Sequence, residues 1–245
     1  MEPSKLYSLL SNENRLKILG ILSREPSRFT AIQRSIGISS PELARQLSNL
    51  LKVGLVEAHS GGYALSNFGR ITLESSKLID YIAESYGYLS KHDISPIPDS
   101  LKRRLDILSD GRVISSAYSI LDILRSYEPL VQTRYWDLSD DYPSLLLGLV
   151  EGMLSRDVEI RVIYPPATLE KAKREAGSRI SEGIKAKALP SVKVTVVVSD
   201  VFAMFGLPDL SGVVDRQNYL FSETPRFIDW CREFFECYWE KARAL

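Results

Sequence analysis

Five residues constrain this chain more than any other stretch: Gly37-Ile38-Ser39-Ser40-Pro41. A glycine tolerates the positive φ at which a helix stops, and a serine followed by proline is a strong start signal for the next helix. On either side, residues 30–69 read as a short helix, a tight turn, a second helix and a glycine-tipped hairpin. Thr30 is placed to cap the first helix, whose apolar residues Ala31, Ile32 and Ile36 share one face. Ser39 or Ser40 caps the second, in which Leu43, Leu47, Leu50 and Leu51 recur at helical spacing as a core stripe. Gly54 ends that helix, Leu55 and Val56 begin a strand, and Gly61-Gly62 turns it back through Tyr63-Ala64-Leu65. That order of elements is a winged helix-turn-helix.

The polar side of the second helix suggests a partner. Glu42, Arg45, Gln46 and Asn49 lie away from the leucine stripe, and Arg, Gln and Asn match base edges in a major groove. With Ser40 they are the expected base contacts; Ser39 and Lys52 are expected nearer phosphate. His59 and Ser60 would form a wing tip on the backbone or in the minor groove. Charge agrees with double-stranded DNA as partner. Residues 1–70 hold nine Lys/Arg against five Asp/Glu, while the rest hold 22 against 26, so the net charge of zero hides a +4/−4 split. The excess is modest, and a homodimer would double it.

The 245 residues, 44% of them apolar, suffice for two domains with separate cores. No apolar run reaches the roughly 20 residues of a membrane span, and no signal peptide is visible. Two cysteines make no disulfide scaffold, so a reducing, cytoplasmic setting is expected. Residues 1–70 are expected to form the winged domain and 71–96 a linker or dimerisation helix with Ile71, Leu78, Ile79 and Ile82 on its apolar side. A hinge is expected at Ser95-Pro96-Ile97-Pro98, and an α/β domain over 97–245. In that domain helices are expected over 98–108, 119–126, 143–155, 169–187 and 225–244. Strands are expected over 111–114, 130–135, 158–164, 192–198, 201–207 and 218–221.

Chemistry-bearing clusters are sparse. Cys231 and Cys237 are six apart, far from His59 and His92, and lack the spacing of a zinc site, so no metal or cofactor is expected. Residues 97–245 contain no histidine, and the chain has neither GxxxxGK[ST] nor GxGxxG. Catalysis is therefore not expected. Asp137, Asp140 and Asp141, with Arg134, Tyr135 and Trp136 nearby, form a polar-aromatic cluster after a strand, and Tyr164 ends another. Strand ends are where α/β domains hold ligands, so Arg134, Trp136, Asp137 and Tyr164 are candidate contacts to a small-molecule effector.

The runs LLSNENRLKILGIL and RFTAIQRSIGISSPELARQLSNLLKVGLVEAHSGGYALSNFGR resemble the winged-helix domain of ArsR-type archaeal transcriptional regulators. That resemblance implies a dimer with Ser40–Asn49 in the major groove; the metal-sensing cysteines of the founding members are missing. PIPDSLKRRL, VEIRVIY, VKVTVVV and WCREFFECYWEKA resemble the effector domain of archaeal regulators linked to methanogen filament formation. That domain is similar to the C-terminal domain of TrmB-type sugar sensors, with a phospholipase D-like fold, and the HxK signature of the active enzymes is missing here. The expectation is an α+β winged helix followed by an α/β effector domain, acting as a sequence-specific regulator. The alternative is a protein-interaction module that uses its winged helix without specific DNA binding.

Overall fold

The computed structural model describes residues 2–142, 144 and 147–244, with their side chains except those of 117 and 176–181. The chain falls into two compact units, Met1–Ile79 and Asp80–Leu245.

The first unit runs α1 (Pro3–Leu10), α2 (Glu13–Leu22), α3 (Phe29–Ile36), α4 (Ser40–Lys52), β1 (Val56–His59), β2 (Gly62–Leu65) and the start of α5 (Asn67–Glu84). Local chemistry sets most of these boundaries. The Asn12 side chain caps α2 by accepting from the Arg15 amide at 3.1 Å. Thr30 does not cap α3; the helix begins at Phe29, with Arg28 in the capping position and no side-chain bond. Gly37 has φ 77°, the left-handed conformation that ends the helix, and Ser39 then caps α4. Ile18, Leu19, Ile32, Leu43, Leu50 and Leu55 are fully buried and form the core of the unit. On α5, Ile71, Ile79 and Ile82 are 66%, 51% and 49% exposed, so the expected apolar side lies open.

The second unit includes the end of α5 and everything after it. The expected hinge at 95–98 lies inside this unit: Ile97 is buried, and the Pro96 carbonyl accepts from the Tyr238 hydroxyl at 2.8 Å. Paired prolines exclude a helix without excluding burial. After α6 (Tyr86–Leu89) and α7 (Asp99–Lys102), a 3₁₀ turn leads to β3 (Arg112–Ser115) and α8 (Ala117–Tyr127). Next come β4 (Arg134–Leu138), α9 (Leu147–Leu154), β5 (Glu159–Tyr164), α10 (Pro166–Gly183) and β6 (Ile184–Ala188). The unit closes with β7 (Thr195–Ser199), β8 (Ala203–Gly206), β9 (Asn218–Ser222) and α11 (Pro225–Lys241). Of the expected helix over 143–155, residues 143, 145 and 146 lie outside the described residues.

Seven strands form one sheet in the order β3-β9-β8-β7-β4-β5-β6. Strands β4, β5 and β6 are parallel, joined by α9 and α10, and the remaining neighbours are antiparallel. Residues of α8, α9 and α10 share one buried cluster with Tyr135, Ile160, Val162 and Tyr164 on one sheet face. Helix α11 covers the other, where Trp230 and Phe234 meet Phe205 at ring distances of 5.1 and 5.2 Å.

Gly69, near the start of α5, fixes how that helix leaves the winged unit. A Cβ there would stand 2.0 Å from the Leu55 carbonyl oxygen. Gly20, inside α2, would meet nothing within 4 Å. Gly69→Ala is expected to destabilise the first unit by on the order of 3 kcal/mol, and Gly20→Ala to stabilise it by about 0.5–1 kcal/mol. Urea denaturation of both variants beside the parent chain checks the opposite signs.

Candidate nucleic-acid interface and second-domain pocket

Helix α4 presents Pro41, Ala44, Arg45, Ser48 and Lys52 to solvent. Spacings of three and four make them one row. Of the expected base contacts, Ser40 and Arg45 are exposed, whereas Glu42 and Asn49 are half-buried. Gln46 is fully buried and leaves the candidate set. Its carbonyl oxygen accepts from Arg15 Nε of α2 at 2.7 Å, and its amide donates to Glu42 Oε1. The outward face is therefore rotated by about one residue from the expectation, which brings in Ser48 and Ala44. The signal lies outside α4, in Arg15 of α2, whose bond turns Gln46 inward.

Arg45 grips Glu42 through Nε at 3.0 Å and Nη2 at 2.8 Å. Hydrogen bonds from Gln46 first, and from Arg45, hold the Glu42 carboxyl below the usual carboxylate range. Ser39 is occupied as the cap of α4, and the Ser40 hydroxyl accepts from Gln33 Nε2 at 2.8 Å. Lys52 is exposed and, like Arg28 and Arg34, forms no ion pair among the described residues. On the hairpin, His59 and Ser60 are exposed at the tip, and His59 Nε2 faces Glu57 at 3.8 Å. The base of the wing is fixed: Ser27 and Tyr63 exchange two backbone hydrogen bonds of 2.9 Å.

In the second unit, β4 sorts the expected ligand residues onto two faces. Asp137 and Tyr164 come together, with the Tyr164 hydroxyl donating to Asp137 Oδ2 at 2.6 Å. Trp136 points the other way, beneath α11, 5.2 Å from Phe235. Arg134 lies over the Trp136 ring at 5.7 Å, so neither joins Asp137. Neighbours along a strand face opposite sides, which sequence proximity alone hides.

Asp137 lines an apolar pocket with Tyr135, Tyr142, Met153, Ile160 and Leu169. Burial pushes the Asp137 carboxyl up to about 7, against the lowering effect of the Tyr164 bond. Asp137 Oδ1 and the Tyr142 hydroxyl are buried and have no hydrogen-bond partner among the described residues. Tyr142 is not among the expected ligand residues; its one sequence signal is its place a few residues beyond a strand end.

His92 belongs to this unit, so residues 80–245 do hold one histidine. It is committed to structure: Nε2 faces Asp215 Oδ2 at 2.9 Å, Nδ1 faces the Tyr88 carbonyl at 2.7 Å, and its ring stacks on Tyr88. Cys231 is buried, Cys237 half-buried, and both are free thiols. Among the described residues no group of three His, Cys, Asp or Glu is arranged to hold a metal.

The raised Asp137 carboxyl has a stability consequence. Between pH 4 and 7 the native state keeps a proton that the unfolded chain has released, so ionising Asp137 costs stability as pH rises through that window. Asp137→Asn should be more stable than the parent by on the order of 2 kcal/mol above pH 7, the advantage shrinking towards pH 4. Thermal or urea melts of the two chains across that range test it.

Comparison with known proteins matches both halves of the chain. Residues 10–59 match a helix-turn-helix domain model, and residues 139–241 match the middle domain of the methanogenesis regulatory protein FilR1. No curated protein matches the chain. Among solved structures, TrmBL2, an archaeal chromatin protein, aligns over 100% of both chains at 15% identity with a TM-score of 0.46. NucT from Helicobacter pylori aligns over 55% of this chain and 98% of its own, at 12% identity with a TM-score of 0.43. The phospholipase D family member Nuc from Salmonella typhimurium aligns over 54% and 95%, at 14% identity with a TM-score of 0.40. With a helix-turn-helix domain at one end and a FilR1-type middle domain at the other, the chain is a helix-turn-helix transcription regulator.

Proposed function

We propose that the protein is a cytoplasmic, homodimeric regulator that reads a specific duplex sequence with α4. Arg45 and Ser48 face base edges in the major groove, Lys52 lies against phosphate, and the His59–Ser60 wing tip rests on the backbone or in the adjacent minor groove. The observation that carries this reading is the exposed row along α4, held in place by the left-handed Gly37 turn and the buried Gln46 bond to α2. No helix among the described residues is long and apolar enough to cross a membrane. The open apolar side of α5, with Phe68, Ile71 and Ile79, supports pairing with a second copy, which would double the modest positive charge of the winged unit. The second domain binds a small effector and has no catalytic part in this reading. An effector alters DNA affinity only by its differential affinity for the two states it distinguishes.

Selection of bound fragments from genomic DNA should enrich a two-fold-related motif with half-sites about one helical turn apart. Arg45→Ala should weaken binding to that motif by about ten- to a hundredfold and relax specificity. Lys52→Ala should weaken all duplexes alike and reduce the salt slope by about 0.9 per lost phosphate contact. Gln46→Ala, by contrast, should lower the stability of the first unit, because it removes the buried bonds that Gln46 makes to Arg15 and Glu42. Binding without salt dependence, or unaltered by Arg45→Ala, would overturn the reading.

A further inference from the structure

The pocket between the sheet face of β4, β5 and β6 and helices α8, α9 and α10 has more specific chemistry than an effector site of unstated kind. Its walls are mainly aliphatic and aromatic, which favours an apolar body. Two polar atoms break the apolar lining. Asp137 Oδ1 can accept, and the Tyr142 hydroxyl can donate or accept; neither has a partner among the described residues. The other Asp137 oxygen is occupied by Tyr164, so one acceptor position is left open. Of the charged residues at the pocket, Glu128 is paired with Arg156 at 2.7 Å, and Lys173 is exposed.

We propose that this pocket binds a small, mostly apolar molecule through a single hydrogen-bond donor, an alcohol or an amine, received by Asp137 Oδ1. The Tyr142 hydroxyl takes the second position on the same group. An anion is disfavoured, because the mainly aliphatic and aromatic lining would leave its charge desolvated. A hydrocarbon fills the space and leaves the two orphaned atoms unsatisfied, at a cost no packing recovers. The proposal rests on reading this domain as the effector-binding part of the chain. Binding is measured without DNA, so failure of the DNA-binding reading and failure of this one are separate results.

The test is calorimetric titration of the full-length chain, free of DNA, with cyclopentanol, cyclopentylamine, cyclopentane and butyrate. Cyclopentanol or cyclopentylamine should bind at least about tenfold more tightly than cyclopentane, a preference of roughly 1.4 kcal/mol, and butyrate should bind least. The order of the first two identifies the donor as hydroxyl or ammonium. Asp137→Leu should abolish the preference over cyclopentane. Val150→Trp, which fills the pocket from α9 and leaves Asp137 in place, should remove binding of every probe, and decides the matter if Asp137→Leu fails to fold. Equal affinity for cyclopentane and cyclopentanol, tighter binding of butyrate, no binding of any probe at its solubility limit, or binding untouched by Val150→Trp would each overturn the proposal.

Discussion

Strand β4 is hydrogen-bonded along both edges, antiparallel to β7 and parallel to β5, and covered on both faces. Every side chain from Tyr135 to Leu138 is consequently buried, and the backbone around them is spent on the sheet. A polar residue on such a strand must find partners among other side chains. Trp136 does, giving its indole N–H to Glu159 at 3.3 Å and its ring face to Arg161 at 4.5 Å. Asp137 finds one partner, Tyr164, for two oxygens. The pocket chemistry follows from that imbalance, and the raised carboxyl is its electrostatic expression.

The second domain was legible where burial is two-sided. VEIRVIY and the valines of β7 read as strands because both faces are covered and no helical period competes. Strand β6 was absorbed into the charged helix before it: Ile184, Ala186 and Ala188 alternate with Lys185 and Lys187, but only over five residues after a long Lys/Arg/Glu pattern. Strand β4 starts four residues later than expected. The amides of Gln132 and Arg134 bond to the Asp200 carboxylate, 68 and 66 residues away, so Leu130–Thr133 is held as a connection outside the ladder. No local pattern announces a partner at that distance. The same holds for the end of α5 and the 95–98 segment, whose prolines signal a boundary while Tyr88, Ile97 and the Tyr238 bond tie them into the second unit.

In the first unit the legible parts were those fixed by backbone chemistry: the cap at Ser39, the positive φ at Gly37, the hairpin. The misplaced part was Gln46. A glutamine beside a leucine stripe reads as outward, since burying an unbonded amide costs more than exposing it. Arg15, 31 residues earlier on α2, reverses that cost by donating to its oxygen, and Glu42 accepts from its nitrogen. The pair of bonds makes Gln46 a rotational stop: it sets which residues of α4 face outward, so that Ser48 replaces it in the exposed row. Functional residues on a helix are thus decided partly by a buried bond that no periodicity of the helix itself encodes.

The same logic bears on what an effector can do. A hydrogen bond to an ionised or strongly polar acceptor in a dry site contributes about 1.5–3 kcal/mol, and completing an orphaned one avoids a penalty of similar size. A small molecule that satisfies Asp137 Oδ1 and Tyr142 therefore has a few kcal/mol of polar stabilisation beyond its apolar burial, all of it available only where those two atoms are held together. If opening or closing of the pocket changes their spacing, that amount sets the upper limit on the population shift, and about 1.4 kcal/mol of it is a tenfold change. Apolar walls alone would tolerate such a change of shape with little difference in affinity, because dispersion contacts are non-directional. In the proposed reading the directional pair is what would let the site discriminate two states, and Asp137 is the residue through which that discrimination would pass.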